Sequence, residues 1–348
     1  MLPTGYKILP DLVNSIEKAE VVLIVSHKRP DYDAVCSSLA LYRLLTNAYP
    51  DKKIVVGNED SPSPRMKHLE DYNKIHVDDL SSLIRTYSPQ LIICLDGSLH
   101  SRFTWDEKTA RDLIIEEKIS TAVIDHHTSD DITPDAFDIY VNNKAAATSE
   151  ELYKVFIQGL GWKLDSQIAE YLQLGILSDT NRFLYKIGNF IETAKIVNEL
   201  MLKGAEIQRL SGKVDELSDL DLQVFQEMFK NLQITDSLNY SFVSDKFSNE
   251  LQAANTDYTE YKLARRRFVD DFVTGGKNGW GFIVARDWKS DGLYNGSFRS
   301  NEGIAECDKL ANLFDGGGHK LAAGFDLEAG SVDEAIQLIL QRIDKYTL

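Results

Sequence analysis

The chain of 348 residues is too long for one small module and matches the length of two domains. Its 43% hydrophobic and 26% charged residues supply enough apolar material for true cores, which excludes a disordered or low-complexity chain. A net charge of −16, from 38 Lys and Arg against 54 Asp and Glu, repels polyanions and excludes a coat for long nucleic acid.

A small anionic substrate held by metal ions in a local pocket stays open, because the field beside a divalent cation overrides distant surface charge. The opening MLPTGYKILPDL has no apolar segment of signal-peptide type. The longest apolar runs, Val21–Val25 and Leu91–Leu95, are far short of the ~20 residues of a membrane span. No membrane partner and a cytosolic address are expected. Cys36, Cys94 and Cys307 are widely spaced and odd in number, so they read as reduced thiols and not as a zinc or disulfide framework.

Val21–Ser26, Ile54–Val56, Leu91–Leu95 and Ala122–Ile124 read as buried strands. Between the first two, Ala34–Ala48 carries Val35, Leu39, Tyr42 and Leu45 at helical spacing. Such alternation gives a doubly wound α/β domain on a mostly parallel sheet, assigned to residues 1–190. Thr148–Glu151 has the capping-box pattern of a helix start, and Ser166–Leu177 reads as a further helix. Helical patterns at Glu192–Leu202 and Asp219–Leu232 flank a polar stretch and make 191–235 a helical linker. Tyr240–Ser244, Trp280–Ala285 and Leu293–Ser300 then read as strands. A helix near Ile304–Phe314 follows, and a terminal helix opens on the capping box Ser331–Glu334. A smaller mixed α/β domain therefore spans 236–348.

Four acidic or histidine clusters fall where elements of the first domain end, the usual place of ligand sites in open α/β sheets. They are His27-Lys-Arg-Pro-Asp31-Tyr-Asp33, Asp96, Asp125-His126-His127, and Asp179 in Gly175-Ile-Leu-Ser-Asp179-Thr180. Pro30 keeps the helix from starting early, so Asp31 and Asp33 both point out of one turn. A single Asp at such a place is most often a helix cap, and a lone His pair most often a packing feature; four clusters in succession are hard to produce by capping alone. Carboxylates and imidazoles together suit two divalent cations of the Mn²⁺ type. Two such ions serve the hydrolysis of phosphate esters or anhydrides.

These residues resemble the four motifs of the DHH phosphoesterases, and Gly316-Gly317-Gly318-His319-Lys-Leu-Ala322-Ala323-Gly324 resembles the signature of the associated DHHA1 domain. The two-domain size is similar to the branch of nanoRNases and pAp phosphatases, cytosolic hydrolases of short oligonucleotides and of 3′-phosphoadenosine 5′-phosphate. The resemblance implies that His27 and Asp31 bind one metal, that Asp33, His126 and Asp179 bind the other, and that Asp96 bridges them. It implies further that His127 faces the scissile phosphate, with Arg102 near the same phosphate or anchoring its loop. In the second domain Arg299, Ser300, Gly316, Gly317, Gly318 and His319 would form a pocket for a distal phosphate or base. The basic run Arg265-Arg266-Arg267 reads as a solvated helix face. Tyr32 and Cys36 stand where the family commonly has Gly; Cys36 is expected to be a buried, inert thiol.

The expected activity is Mn²⁺-dependent degradation of very short oligoribonucleotides to mononucleotides and removal of the 3′-phosphate of pAp. Neighbouring readings are a cyclic or linear dinucleotide phosphodiesterase and a pyrophosphatase or exopolyphosphatase. A nucleotide-binding regulatory protein is the reading outside enzymes, and it would call for a missing metal ligand. A homodimer stands among the expected assemblies.

Overall fold

A computed structural model describes residues 9–97, 100–127, 137–184, 188–275, 277–288 and 290–347. The chain divides into two compact units, Met1–Glu216 and Leu217–Leu348.

In the first unit, six strands form one parallel sheet: β1 (Val21–Ser26), β2 (Lys53–Asn58), β3 (Ile75–Val77), β4 (Leu91–Leu95), β5 (Ser120–Ile124) and β6 (Ile139–Val141). Their order across the sheet is β3-β2-β1-β4-β5-β6. Alternation along each strand feeds two cores, one per face. Val22, Ile24, Ile93 and Ile124 join the core beneath helices Tyr32–Ala48 and Ser166–Asp179. Leu23, Val25, Ile92 and Val123 join the opposite core, with Leu83 and Ala110. The sheet is therefore doubly wound. The edge strands β3 and β6 have three residues each, too few to leave a period in the sequence.

The second unit carries β7 (Gln233–Ile234), β8 (Asn239–Phe242), β9 (Trp280–Arg286), β10 (Leu293–Ser300), β11 (Gly317–His319) and β12 (Ala322–Glu328), in the order β11-β12-β10-β9-β8-β7. Only β8 and β9 run parallel, so this sheet is mixed. Phe298, Phe314 and Phe325 stack at its centre.

The helices expected to form a linker are shared between the units. Phe190–Leu202 and Ile207–Asp215 pack on helix Ser166–Asp179, and Asp219–Lys230 packs on helix Tyr258–Phe268. The run Arg265–Arg267 is not a solvated face. Arg265 is buried with its guanidinium 4.4 Å from the Tyr261 ring, Arg267 lies 3.8 Å from Asp221, and only Arg266 is largely exposed. Among the described residues, no helix is long and apolar enough to cross a membrane.

Candidate metal centre

Strands β1, β4 and β5 are neighbours in register, with Ser26 beside Leu95 and Leu95 beside Ile124. The next residue on each strand is His27, Asp96 or Asp125, so one row of carboxyl ends delivers three of the clusters side by side. Asp96 adopts φ +61, a left-handed conformation uncommon for a residue with a side chain, and its N–H donates to Ile124 O at 3.1 Å. Helix Tyr32–Ala48 brings Asp31 and Asp33 from its N-terminus, and helix Ser166–Asp179 brings Asp179 from its last residue.

The result is one cluster. His27 Nε2 lies 3.9 Å from Asp31 Oδ1 and 3.3 Å from Asp96 Oδ2. His126 Nε2 lies 3.4 Å from Asp96 Oδ1 and 3.1 Å from Asp179 Oδ2. The donor atoms group as His27, Asp31 and Asp96; as Asp33, His126 and Asp179; and as Asp96, His126 and His127, each group within 4.8 Å. His27 Nδ1 is 2.7 Å from Lys28 O, which as a donor leaves Nε2 directed at the carboxylates. His127 Nδ1 is 2.7 Å from Asp125 Oδ1 and 3.7 Å from Asp96 Oδ1. The His127 side chain is 39% exposed against 10% for His27 and His126, so His127 is the imidazole open to solvent.

The electrostatics are unbalanced. Burial by itself lowers the His27 pKa, but Asp31 and Asp96 overcome it and raise it to about 11. Burial likewise opposes the charged His126, and Asp179 and Asp96 hold it well above the usual imidazole range. Asp96 is buried too, yet hydrogen bonds from both imidazoles keep it well below the carboxylate range. Burial, with Asp179 and Asp96 beside it, pushes Asp33 well up. Asp179 is raised to about 6, first by burial and then, against the pull of its His126 hydrogen bond, by Asp31 and Asp96. Such a set of crowded acids, most of them buried, has the charge and, with the imidazoles, the mixed N/O donors that fit divalent cations.

Around the cluster some sequence expectations change and others hold. The helix at 148 is not capped by its own box: it starts at Thr148, and its N-cap, Ala147, makes no side-chain cap hydrogen bond. The cap comes from Asp33, whose Oδ2 accepts from Thr148 N–H at 2.6 Å and whose Oδ1 accepts from Ser149 N–H at 3.0 Å. Glu151 turns back to accept from the Asn143 and Ala145 N–H groups. Arg102 is exposed, and its carbonyl accepts from Lys28 N–H at 2.7 Å, clasping the His27 loop. Cys36 is a buried free thiol, pushed up by burial and by Asp33 and Asp31. Tyr32 is half-buried, its ring 6.1 Å from that of His68.

In the second unit, Arg299 and Ser300 do not converge. Strand alternation turns them to opposite faces of β10, Ser300 inward and Arg299 outward. Ser300 Oγ accepts from Ala305 N–H and donates to Asn301 O, both at 2.9 Å, so it closes a turn. Arg299 pairs through Nε with Asp270 and donates from Nη1 to Phe298 O at 2.9 Å. Gly316–Gly318 is not a free loop. Gly316 N–H donates to Ala311 O, and Gly317–His319 pairs with β12. A Cβ at Gly318, φ +149, would meet Ala322 O and Ala323 Cα at 2.6 Å, so close strand packing accounts for that glycine. His319 is exposed on this edge strand.

The sequence motifs do not reveal what Asp125, Thr148, Ser149 and Gly175 touch: Asp125 holds His127, and the other three lie against Asp33 or Asp96. Thr148 Oγ1 donates to Asp96 Oδ1 at 3.0 Å, and a Cβ at Gly175 would lie 2.4 Å from Asp33 Oδ1. Beyond Thr180, which follows Asp179, Asn181, Arg182 and Phe183 are all left-handed, with φ +44, +57 and +67. Such a turn costs about 1–2 kcal/mol per residue and leaves no signal in the sequence.

Residues 21–176 match the model of the DHH family, N-terminal domain. Over 332 residues the chain is 26% identical to a bifunctional oligoribonuclease and PAP phosphatase of Bacillus subtilis, covering 94% of this chain and 96% of the relative. A Mycoplasma pneumoniae protein of the same description is 25% identical, with 92% of each chain covered. A crystal structure of an exopolyphosphatase-related protein from Bacteroides fragilis superposes with a TM-score of 0.83 at 23% identity, covering 99% of this chain and 98% of that one.

Proposed function

For a chain that carries a DHH-family domain and aligns over nearly its full length with phosphoesterases, we propose a Mn²⁺-dependent hydrolase of very short oligoribonucleotides and of 3′-phosphoadenosine 5′-phosphate, acting in the cytosol. The observation that carries the reading is the division of Asp96. Its Oδ2 faces His27, beside Asp31, and its Oδ1 faces His126, beside Asp179. A carboxylate with one oxygen toward each of two donor sets is what a bridging ligand between two cations requires. In this reading His27 and Asp31 would hold one ion and Asp33, His126 and Asp179 the other, with Asp96 shared between them.

Two divalent ions, when bound, supply a nucleophile from water at neutral pH and neutralise charge on the phosphate. The chain's own residues do the rest. His127, oriented through Nδ1 by Asp125, turns its open edge to solvent and stabilises charge developing on the scissile phosphate. Asn142 Nδ2 donates to His127 O at 2.7 Å and holds the same segment. In the second unit Arg299, although paired through Nε with Asp270 and through Nη1 with Phe298 O, is the cation proposed for a second substrate phosphate, which would reach it through the remainder of its guanidinium. Small nucleotides fit a chain of net charge −16 better than long polyanions do.

The test is a panel at fixed Mn²⁺: pAp, di- to pentaribonucleotides, a 24-mer, cyclic dinucleotides and pyrophosphate. The expected result is turnover of pAp and the shortest RNAs, with little on the 24-mer. Preference for cyclic dinucleotides or for pyrophosphate refutes the assignment in favour of the corresponding phosphodiesterase or pyrophosphatase. Silence on every member refutes catalysis.

A further inference from the structure

Thr148 is not a ligand, yet it bonds one carboxylate from each donor set. Its Oγ1 donates to Asp96 Oδ1 at 3.0 Å, and its N–H donates to Asp33 Oδ2 at 2.6 Å. Thr148 and Asp33 are fully buried and Asp96 is 2% exposed, so these bonds form in a low-dielectric interior. The buried alanines Ala145–Ala147 carry no bulk that would keep this segment from the cluster.

Helix capping explains the N–H bonds to Asp33 but not the hydroxyl bond to Asp96, because a cap uses backbone donors alone. The hydroxyl bond also differs in kind from the others Asp96 receives. His27 and His126 approach Asp96 through Nε2, and an imidazole nitrogen that ligates a cation has no proton left to give. The Thr148 hydroxyl keeps its proton over the whole physiological range. It therefore goes on orienting the Asp96 carboxylate when the imidazole protons are gone.

We propose that Thr148 is the positioning residue that ties the two cation positions together, orienting Asp96 through its hydroxyl and Asp33 through its backbone. The inference rests on the two-cation reading of the centre. Partners of this kind that orient a metal ligand are worth about 10–100-fold in metal affinity.

Thr148→Val separates the two bonds, since valine is nearly isosteric, keeps the N–H and lacks the hydroxyl. The readouts are Mn²⁺ binding by titration calorimetry on the chelator-treated full chain, and thermal melting with and without Mn²⁺. The expected result is Mn²⁺ affinity lowered about 10–100-fold, metal-free melting close to wild type, and return to near wild-type affinity in Thr148→Ser. Wild-type affinity in the valine variant overturns the proposal. So does a metal-free melting temperature that falls as far as the metal-loaded one, which would make Thr148 a residue of the fold. If the valine protein does not fold, Thr148→Ala is read by the same criteria. A wild-type protein that takes up no Mn²⁺ overturns the two-cation reading and this inference with it, whereas uptake unaffected by the valine overturns only the role of Thr148.

Discussion

Gly175 stands four residues before Asp179 on helix Ser166–Asp179, and two opposed effects meet there. Glycine inside a helix costs about 0.5–1 kcal/mol relative to alanine, so propensity alone makes Gly175→Ala stabilising. The surroundings say otherwise. A Cβ at this position would lie 2.1 Å from Ser149 Oγ and 2.4 Å from Asp33 Oδ1, where ordinary contact begins at 3.4 Å. Each atom has to retreat by about 1 Å. Neither side chain can swing into solvent, because both are fully buried and Asp33 is held by the Thr148 and Ser149 N–H groups.

Overpacking of this kind costs ~1–3 kcal/mol, which exceeds the gain in propensity. The metal-free variant should melt a few degrees lower, at roughly 2–4 °C per kcal/mol for a unit of this size. The larger effect falls on the centre. Moving Asp33 by about 1 Å takes it out of its donor set, so Mn²⁺ affinity should drop at least 10-fold and turnover with it. Scanning calorimetry of the metal-free protein and Mn²⁺ titration check the two parts separately. A variant that melts higher than wild type and binds Mn²⁺ unchanged would refute the tight packing of Gly175 against Asp33.

Three further outcomes are expected. His127→Ala should keep its Mn²⁺ yet lose turnover on the order of 10²-fold or more, the scale of one lost charge-stabilising group; a fall in bound metal measured by elemental analysis would make His127 a ligand of the third donor set instead. Arg299→Ala should slow hydrolysis of pAp and dinucleotides by on the order of 10²-fold while sparing bis-p-nitrophenyl phosphate, which offers no second phosphate. Equal losses on both would show that the pairing of Arg299 with Asp270 serves the fold. The stability of the metal-free protein should depend on pH through His27, whose pKa rises from 6.5 to about 11 on folding. A raised value stabilises fully below pH 6.5 and loses that contribution as pH climbs toward 11. Melting temperatures in chelator should therefore fall steadily from pH 6.5 to 10, and a slope unchanged in His27→Gln would exclude His27 as its source.

The sequence carried the first unit's architecture well where apolar runs were long. The strands Val21–Ser26 and Leu91–Leu95 stand as read, because a parallel strand covered on both faces is a continuous apolar run with polar ends. The ligand clusters were legible for the same reason, each sitting at the first polar residue after such a run. Illegible were features that depend on another part of the chain. Strand β11 is not visible as a strand, because three glycines read alike whether they admit a phosphate or a neighbouring strand, and its partner Ala322–Glu328 follows only later in the chain. The Thr148–Glu151 pattern marks the helix start but not its cap, because the carboxylate that caps this helix is Asp33, distant in sequence.

A helix cap and a metal ligand are not opposed roles for a carboxylate. An acid at an element end reads as either a helix cap or a metal ligand, and here the same side chains cap helices and belong to the donor groups. Asp31 Oδ1 accepts from Ala34 N–H at 3.1 Å, at the start of helix Tyr32–Ala48, and belongs to the His27 donor set. Asp33 caps the helix at Thr148 and belongs to the set of His126 and Asp179. The roles are compatible because a carboxylate offers about four lone-pair sites and a backbone N–H uses one. They also support each other. Donors at a helix start fix the plane of the carboxylate, so its remaining lone pairs are already aimed before any cation arrives, and the entropy of ordering the ligands is met during folding. In the two-cation reading, capping thus pre-positions two of the proposed ligands, Asp31 and Asp33, and the frequency of acids at helix starts is no argument against their binding metal.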